Sequence, residues 1–307
     1  QGEPASLLVG HRIVGANLFY LGRPTAAYAP LKQAVALYVP EEHRLLALVY
    51  GYDARVVSRF YLLETLFVLG YPDRALTLCR EALAEARELS PGSLAFALNH
   101  AGYAHHFRRE REPVRELAEE LVPLAKEQSF PYWLAAGTIL RGWALADEGR
   151  SETGIAALRD GIAAWRATGA ELYMPYHLAL LAEAEAKDGQ ATEALSRLAE
   201  ALARATKTGE RWFDAELHRL KGGVLSSLHV GDRAEAEACF RRALEVARGQ
   251  SARMWELRAA ADLARLLAAK GERGKARDLL APVYGWFTEG FDTADLKDAK
   301  ALLKELR

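Results

Sequence analysis

Three histidines cluster at His100, His105 and His106, the one stretch where imidazoles could converge on a metal or share a proton. Side chains stack on a helix at steps of three and four, whereas these lie five and six apart, and no His-Glu-x-x-His pattern occurs. They read as one groove or core histidine with solvated companions. Gly271-Glu272-Arg273-Gly274-Lys275 has the glycines and lysine of a phosphate loop. It lacks the four-residue interval and the Ser/Thr after the lysine, so it reads as a turn. Glu119 and Glu120 are adjacent, point apart on a helix and make no acid/base pair. Ser226-Ser227 lacks a nucleophile elbow. Cys79 and Cys239, far apart and without flanking Cys or His, read as buried apolar residues of a reducing compartment. No catalytic residue, metal site or cofactor emerges, and the expectation is a protein that is not an enzyme.

The frame behind these residues is a repeat. Gly15, Leu63, Gly102, Gly142, Ala182, Gly222 and Ala264 succeed one another at differences of 48, 39, 40, 40, 40 and 42. Seven residues after most of them stands a turn glycine: Gly22, Gly70, Gly149, Gly189 and Gly271. A second helix follows, with Ala27, Leu31 and Ala34 in the first unit, Ala75, Cys79 and Ala82 in the second, and Gly154, Leu158 and Gly161 in the fourth. Spacings of four and three mark one face of a helix. The sixth unit needs a turn two residues longer, at Gly231, and the third is weakest, with Arg109 and Val114 in the turn and alanine positions. A step of about 40 residues means stacked helical hairpins whose core grows linearly along the chain.

Composition agrees. Half the residues are hydrophobic, dominated by Ala and Leu, and no Val/Ile alternation suggests a sheet. Forty basic residues against 41 acidic ones leave a formal charge of −1, so no general field exists to hold nucleic acid. No stretch reaches the ~18 apolar residues of a membrane span, and no signal peptide is present; the expected location is cytoplasmic. Thr293, as N-cap, and Asp295 open a polar-backed capping helix with Leu296, Ala299, Leu303 and Leu306 on one face. Leu7, Leu8, Val9, Ile13 and Val14 begin abruptly without such a cap, so the chain reads as a piece of something longer whose upstream region packs there. The Pro40–Gly51 connection is long enough for an extra helical turn.

First helices are expected to line the concave groove. Counting from the small residues places Phe60, Phe67, Asn99, Tyr103, His106, Phe107 and Trp143 there at one end, and Tyr176, Glu183, Arg219, Arg258 and Arg265 at the other. A peptide with apolar anchors and an acidic portion would complement this, because aromatics supply anchoring area and arginine grips carboxylates. The alternative is that the aromatics fill inter-repeat core and the arginines are ordinary solvated charges, and Trp133, Trp165, Trp212, Trp255 and Trp286 read as wedges between units.

The small residue, the turn and the alanines resemble the tetratricopeptide repeat (TPR), with a longer period than the usual 34 residues. The resemblance implies an all-α, right-handed superhelical solenoid forming a single domain over residues 1–307. Its hairpins fall near 8–41, 56–89, 95–128, 135–168, 175–208, 215–250 and 257–290, with a capping helix at 293–306. Three stretches carry a narrower likeness: residues 70–75 with 80–83, residues 215–222 with 234–244, and residues 280–293. They resemble the C-terminal repeat region of bacterial signalling (STAND-type) ATPases, often fused to class III adenylate or guanylate cyclase or DNA-binding domains. That likeness implies a non-catalytic sensor and scaffold that binds a protein or peptide and regulates an upstream ATPase or cyclase module. A constitutive scaffold without switching, and a small-molecule-modifying enzyme, are the alternatives.

Overall fold

The structure, a computed structural model, describes residues 4–228 and 233–307. The anticipated turn at Gly231 and the first three residues lie outside that range. Every described element is an α-helix. The helices pair in chain order: α1 Pro4–Tyr20 with α2 Pro24–Ala36, α5 Ala54–Val68 with α6 Pro72–Ala86, and α7 Pro91–Phe107 with α8 Arg111–Glu127. Next come α9 Pro131–Asp147 with α10 Ser151–Ala167, α11 Met174–Lys187 with α12 Ala191–Thr208, α13 Asp214–Ser227 with α14 Arg233–Gln250, and α15 Arg253–Ala269 with α16 Arg273–Gly285. The long connection holds two short helices, α3 Pro40–His43 and α4 Leu46–Tyr50, and α17 Ala294–Glu305 closes the chain. The expected all-α helical-repeat fold is present.

Local chemistry sets the boundaries. Proline opens α2, α6, α7 and α9, where its fixed φ suits the first turn and its missing N–H costs nothing. Ser90 caps α7 by accepting from the Ser93 amide at 3.3 Å, and Thr293 caps α17 through the Leu296 amide at 3.4 Å. Left-handed backbone ends the first helix at Gly70 and Gly149, both at φ 97°. The weak third unit keeps the same turn, with Arg109 itself at φ 61°; the geometry is conserved although glycine is not used. Gly142 shows why the repeat needs a small residue. A Cβ there would lie 2.8 Å from the Leu158 backbone nitrogen and 2.9 Å from the Gly154 carbonyl oxygen on the paired helix. Gly102 instead makes room for the Leu140 side chain of the following hairpin.

Cα packing divides the chain into two compact units, Gln1–Phe67 with Asp73–Glu171, and Val68–Pro72 with Leu172–Arg307. In the first, α8 is amphipathic and buries Val114, Leu117, Ala118, Leu121, Val122 and Ala125, whereas α7 is buried on every side from Phe96 through Ala104. Leu8 and Val9 pack with Tyr38 and Ala54, while Leu7, Ile13 and Val14 are exposed. In the second unit, Leu296, Ala299 and Leu306 of the terminal helix and its flank are buried as expected, with Leu302 taking the core place anticipated for Leu303. Cys79 and Cys239 are both buried free thiols, one in each unit. Burial pushes Cys79 up to about 12 and raises Cys239. Among the described residues no helix is long and apolar enough to cross a membrane.

Candidate ligand-binding faces

In the first unit, α5, α7 and α9 carry seven of the anticipated residues. Asn99, Tyr103 and His106 follow at steps of four and three on α7, so they share one face. His106 meets the Trp143 ring of α9 edge-on at 4.6 Å, and Phe67 of α5 packs on Phe107 at 5.5 Å. Phe60, Phe67, Tyr103 and Phe107 are buried core side chains, as is most of Trp143. Two polar atoms in this apolar setting stand out. Asn99 is 1% exposed and its Oδ1 accepts no hydrogen bond; Trp143 is buried and its Nε1–H donates none. Leaving such a group unmatched costs about 1–3 kcal/mol.

His100 is the core histidine of the cluster, but its companions are not solvated: His106 is buried and His105 is partly buried. The His100 Nδ1 lies 2.7 Å from Oε1 of the buried Glu64, and its ring stacks on Phe96 at 4.1 Å. His105 bonds Glu110 at 2.6 Å. Glu64 was not anticipated; its position, one residue after Leu63 in the repeat, was the available signal. Among the described residues no group of three or more His, Cys, Asp or Glu could hold a metal ion.

In the second unit the anticipated arginines meet carboxylates of the chain itself. Arg219 bonds Glu216 at 2.7 Å and Asp262 at 2.9 Å. Arg258 bonds Glu216 at 2.9 Å and Asp295 at 2.8 Å, and lies over the Trp255 ring. Arg265 bonds Asp262 at 2.8 Å. Burial alone would raise Glu216, but Arg219 and Arg258 outweigh it and hold the carboxyl below its ordinary value. Three cations face three carboxylates across α13, α15 and α17. The acidic ligand portion anticipated for this end would meet arginines that already have anionic partners. The contacts of Glu216 and Asp295 with Arg258, and of Asp262 with Arg219, join separate helices and leave no spacing signal, whereas Glu216–Arg219 and Asp262–Arg265 are three apart on one helix and could have been read.

Tyr176 and Glu183 lie on α11. Tyr176 is buried among Trp212 and Phe213, at 5.7 and 5.1 Å, and Glu183 pairs with Lys187 at 3.0 Å. Trp165, Trp212 and Trp255 are fully buried, in keeping with wedges. Beside Tyr176, Tyr173 begins α11 from left-handed backbone, and its amide donates to both oxygens of Glu210 at 3.1 Å. The Trp212 indole also donates to Glu210, at 2.9 Å. Burial nevertheless raises Glu210 to about 7, and burial alone depresses the neighbouring His177 to about 3.

Comparison with known proteins bears on the fold. No protein-family profile matches the chain. An uncharacterized protein of Rhizobium meliloti is 26% identical over 253 residues, which cover 81% of this chain and 24% of the relative. The chain thus spans about a quarter of the length of the curated relative it matches. Among solved structures, a Rap protein in complex with competence and sporulation factor is 14% identical, with a TM-score of 0.60, covering 98% of this chain and 87% of that one. NprR bound to its cognate peptide NprX gives 14% identity and a TM-score of 0.59, covering 97% and 82%. A tetratricopeptide repeat protein from Parabacteroides merdae gives 13% and 0.50, covering 98% and 99%. At these identities the likeness defines the class of fold, a TPR-like helical-repeat solenoid.

Proposed function

We infer that this chain is a non-catalytic interaction module that binds a peptide or extended protein segment along the α7–α9 face. The carrying observation is the buried pair of unmade hydrogen bonds, an acceptor on Asn99 and a donor on Trp143. A peptide backbone presents donor and acceptor alternately, so one extended segment satisfies both. Neither atom reaches solvent in this form, so engagement requires the face to open. The closed form bears the cost of the two missing bonds and the ligand-bound form does not. That difference is the differential affinity a ligand needs to shift a conformational equilibrium. The structural neighbours crystallised with a competence and sporulation factor and with the peptide NprX support a peptide ligand.

In this reading the module works in the cytoplasm as the sensor of a larger bacterial signalling protein. It couples ligand-driven opening to an upstream ATPase or cyclase module. The likeness of residues 215–222, 234–244 and 280–293 to such repeat regions supports this, as does a relative several times longer. Selection of a peptide-display library against the chain tests the binding reading. The selected peptide should lose roughly fivefold in affinity on Asn99→Leu, the worth of about one hydrogen bond. Hydrogen exchange in α7 and α9 should change on binding. Affinity indifferent to both Asn99→Leu and Trp143→Phe would place the ligand elsewhere.

A further inference from the structure

One carboxyl group joins two connections of the second unit. Tyr173 stands immediately before α11, and Glu210 lies in the connection from α12 to α13. Tyr173 sits at φ 62°, left-handed backbone that suits glycine and strains a bulky side chain. A residue held in such a conformation marks a place where the surroundings over-determine the chain. Here the surroundings are Glu210, whose two oxygens each lie 3.1 Å from the Tyr173 amide nitrogen. Its Oε1 also accepts from the Trp212 indole at 2.9 Å. Glu210 is 5% exposed, and Tyr173, Tyr176 and Trp212 are buried with it.

Among the described residues no Lys, Arg or His bonds to this carboxyl. On its own connection Arg211 bonds Asp214 at 3.1 Å, and Asp214 is the charge that acts on Glu210, with the same sign. The Glu210 amide donates to Thr208 Oγ1 at 3.3 Å. From α11 comes His177, fully buried with its ring stacked on Tyr173 and kept neutral by burial. From α14, Gln250 donates to the Arg211 carbonyl oxygen at 2.9 Å, and Arg242 acts on Asp214. On α15, Glu256 is engaged by Arg248 and Arg253. A proton on Oε2 of Glu210 leaves the junction intact, because Oε1 alone reaches both donors. Loss of that proton leaves a buried charge with two N–H donors and no counter-ion, a state that water stabilises better than this site does.

We propose that the bond between Glu210 and Tyr173 is a proton-operated latch of the second unit, closed while the carboxyl is protonated and released as it ionises. On release Tyr173 relaxes out of the left-handed region, and the first turn of α11 loses its anchor on the next connection. The closed carboxyl titrates at about 7 and one opened to water at 4.5. The opened form therefore sheds a proton between these values. Opening gains about tenfold per pH unit from pH 4.5 to pH 7 and levels off above it. The latch belongs to the second unit and goes beyond the peptide reading of α7 and α9, so either can fail without the other.

The test is hydrogen exchange at the Tyr173 amide, followed by NMR at stepped pH in the chain and in Glu210→Gln. Glutamine keeps a carbonyl oxygen for both donors and cannot ionise, so the variant is a latch held closed. The ratio of the two opening constants, unaltered chain over variant, should rise more than about tenfold from pH 5 to pH 7 and then level off. Taking the ratio cancels the opposing titration of His177. The Gln190 amide, bonded to the Glu185 carbonyl oxygen at 2.8 Å just beyond the far end of α11, should give a constant ratio. A Tyr173 ratio that stays flat with pH overturns the proposal. An equal change at Gln190 also overturns it, because Glu210 would then act on unfolding of the whole unit. If Glu210→Gln does not fold, Trp212→Phe takes its place. It removes a donor that favours the charged carboxyl, so opening of Tyr173 should level off at higher pH than in the unaltered chain, and an unmoved profile overturns the latch.

Discussion

The α7–α9 face of the first unit and the α13–α15–α17 face of the second are built on the same repeat and have opposite chemistry. On the first, the buried Asn99 amide oxygen and Trp143 indole N–H bond to nothing. On the second, Arg219, Arg258 and Arg265 each meet at least one carboxylate of the chain at 2.7–2.9 Å. Polar groups that are already matched hold helices together and offer little to a ligand, whereas buried groups left unmatched favour any partner that completes them. Repeat position therefore marks where a ligand-facing residue can sit, and hydrogen-bond satisfaction decides which of those positions is receptive.

The largest effect expected from this contrast is on Arg258. Arg258→Ala takes one cation from the buried Glu216 and from Asp295 and should cost about 3–5 kcal/mol in urea unfolding. The size of that loss follows from the two buried carboxylates, Glu216 and Asp295, that Arg258 serves at once. A loss below about 1 kcal/mol would mean the ladder is ornamental and the contrast fails. The frame common to both faces is tested by Gly142→Leu. Its side chain would collide with backbone of α10, and thermal stability should fall by ~1–3 kcal/mol.

The pH dependence of the second unit comes next. His177, depressed to about 3, stays neutral in the fold while the unfolded chain protonates near 6.5. Unfolded chains then bind the extra proton, and stability falls with acid from about pH 6.5 downward at up to about 1.4 kcal/mol per unit. Glu210, raised to about 7, has the opposite sign. The native chain holds its proton between about pH 7 and pH 4.5, so stability rises as pH falls through that window. The two oppose each other from pH 6.5 to 4.5, and His177→Asn should turn their near-flat sum into a gain on acidification, read by urea titrations at stepped pH. The smallest effect is on Asn99. Asn99→Leu relieves an unmatched acceptor and should stabilise the free chain by about 1 kcal/mol while weakening peptide binding. Destabilisation by that amount would show that Oδ1 has a partner in solution.

Much of the frame was legible in the residues. Gly142 and Gly149 encode a close approach and a left-handed turn, both local requirements that leave a local signature. Arg109 shows the limit, since a turn fixed by its neighbours tolerates a residue that the pattern does not expect. The extra turn after Pro40 was visible as length, although not as the two helices α3 and α4. The burial of Phe60, Phe67 and Tyr103 was not legible, because an aromatic on a first helix looks the same in sequence whether a groove or a neighbour covers it. Glu64 with His100, and Glu216 with Arg258, were hidden for a related reason. Glu64 and His100 lie 36 residues apart, Glu216 and Arg258 lie 42 apart, and periodicity carries no information about which helices face each other.

The two thiols give the molecule an internal clock. Only a thiolate alkylates, and Cys79, pushed up to about 12 and 1% exposed, holds almost none while α6 stays packed. Its rate of labelling therefore follows how often that hairpin comes apart. Cys239, also buried with a raised thiol, keeps separate time for α14. Native-state alkylation followed by mass spectrometry reads both rates from the unmodified chain. A ligand that opens the first unit would quicken Cys79 and leave the rate at Cys239 as it was.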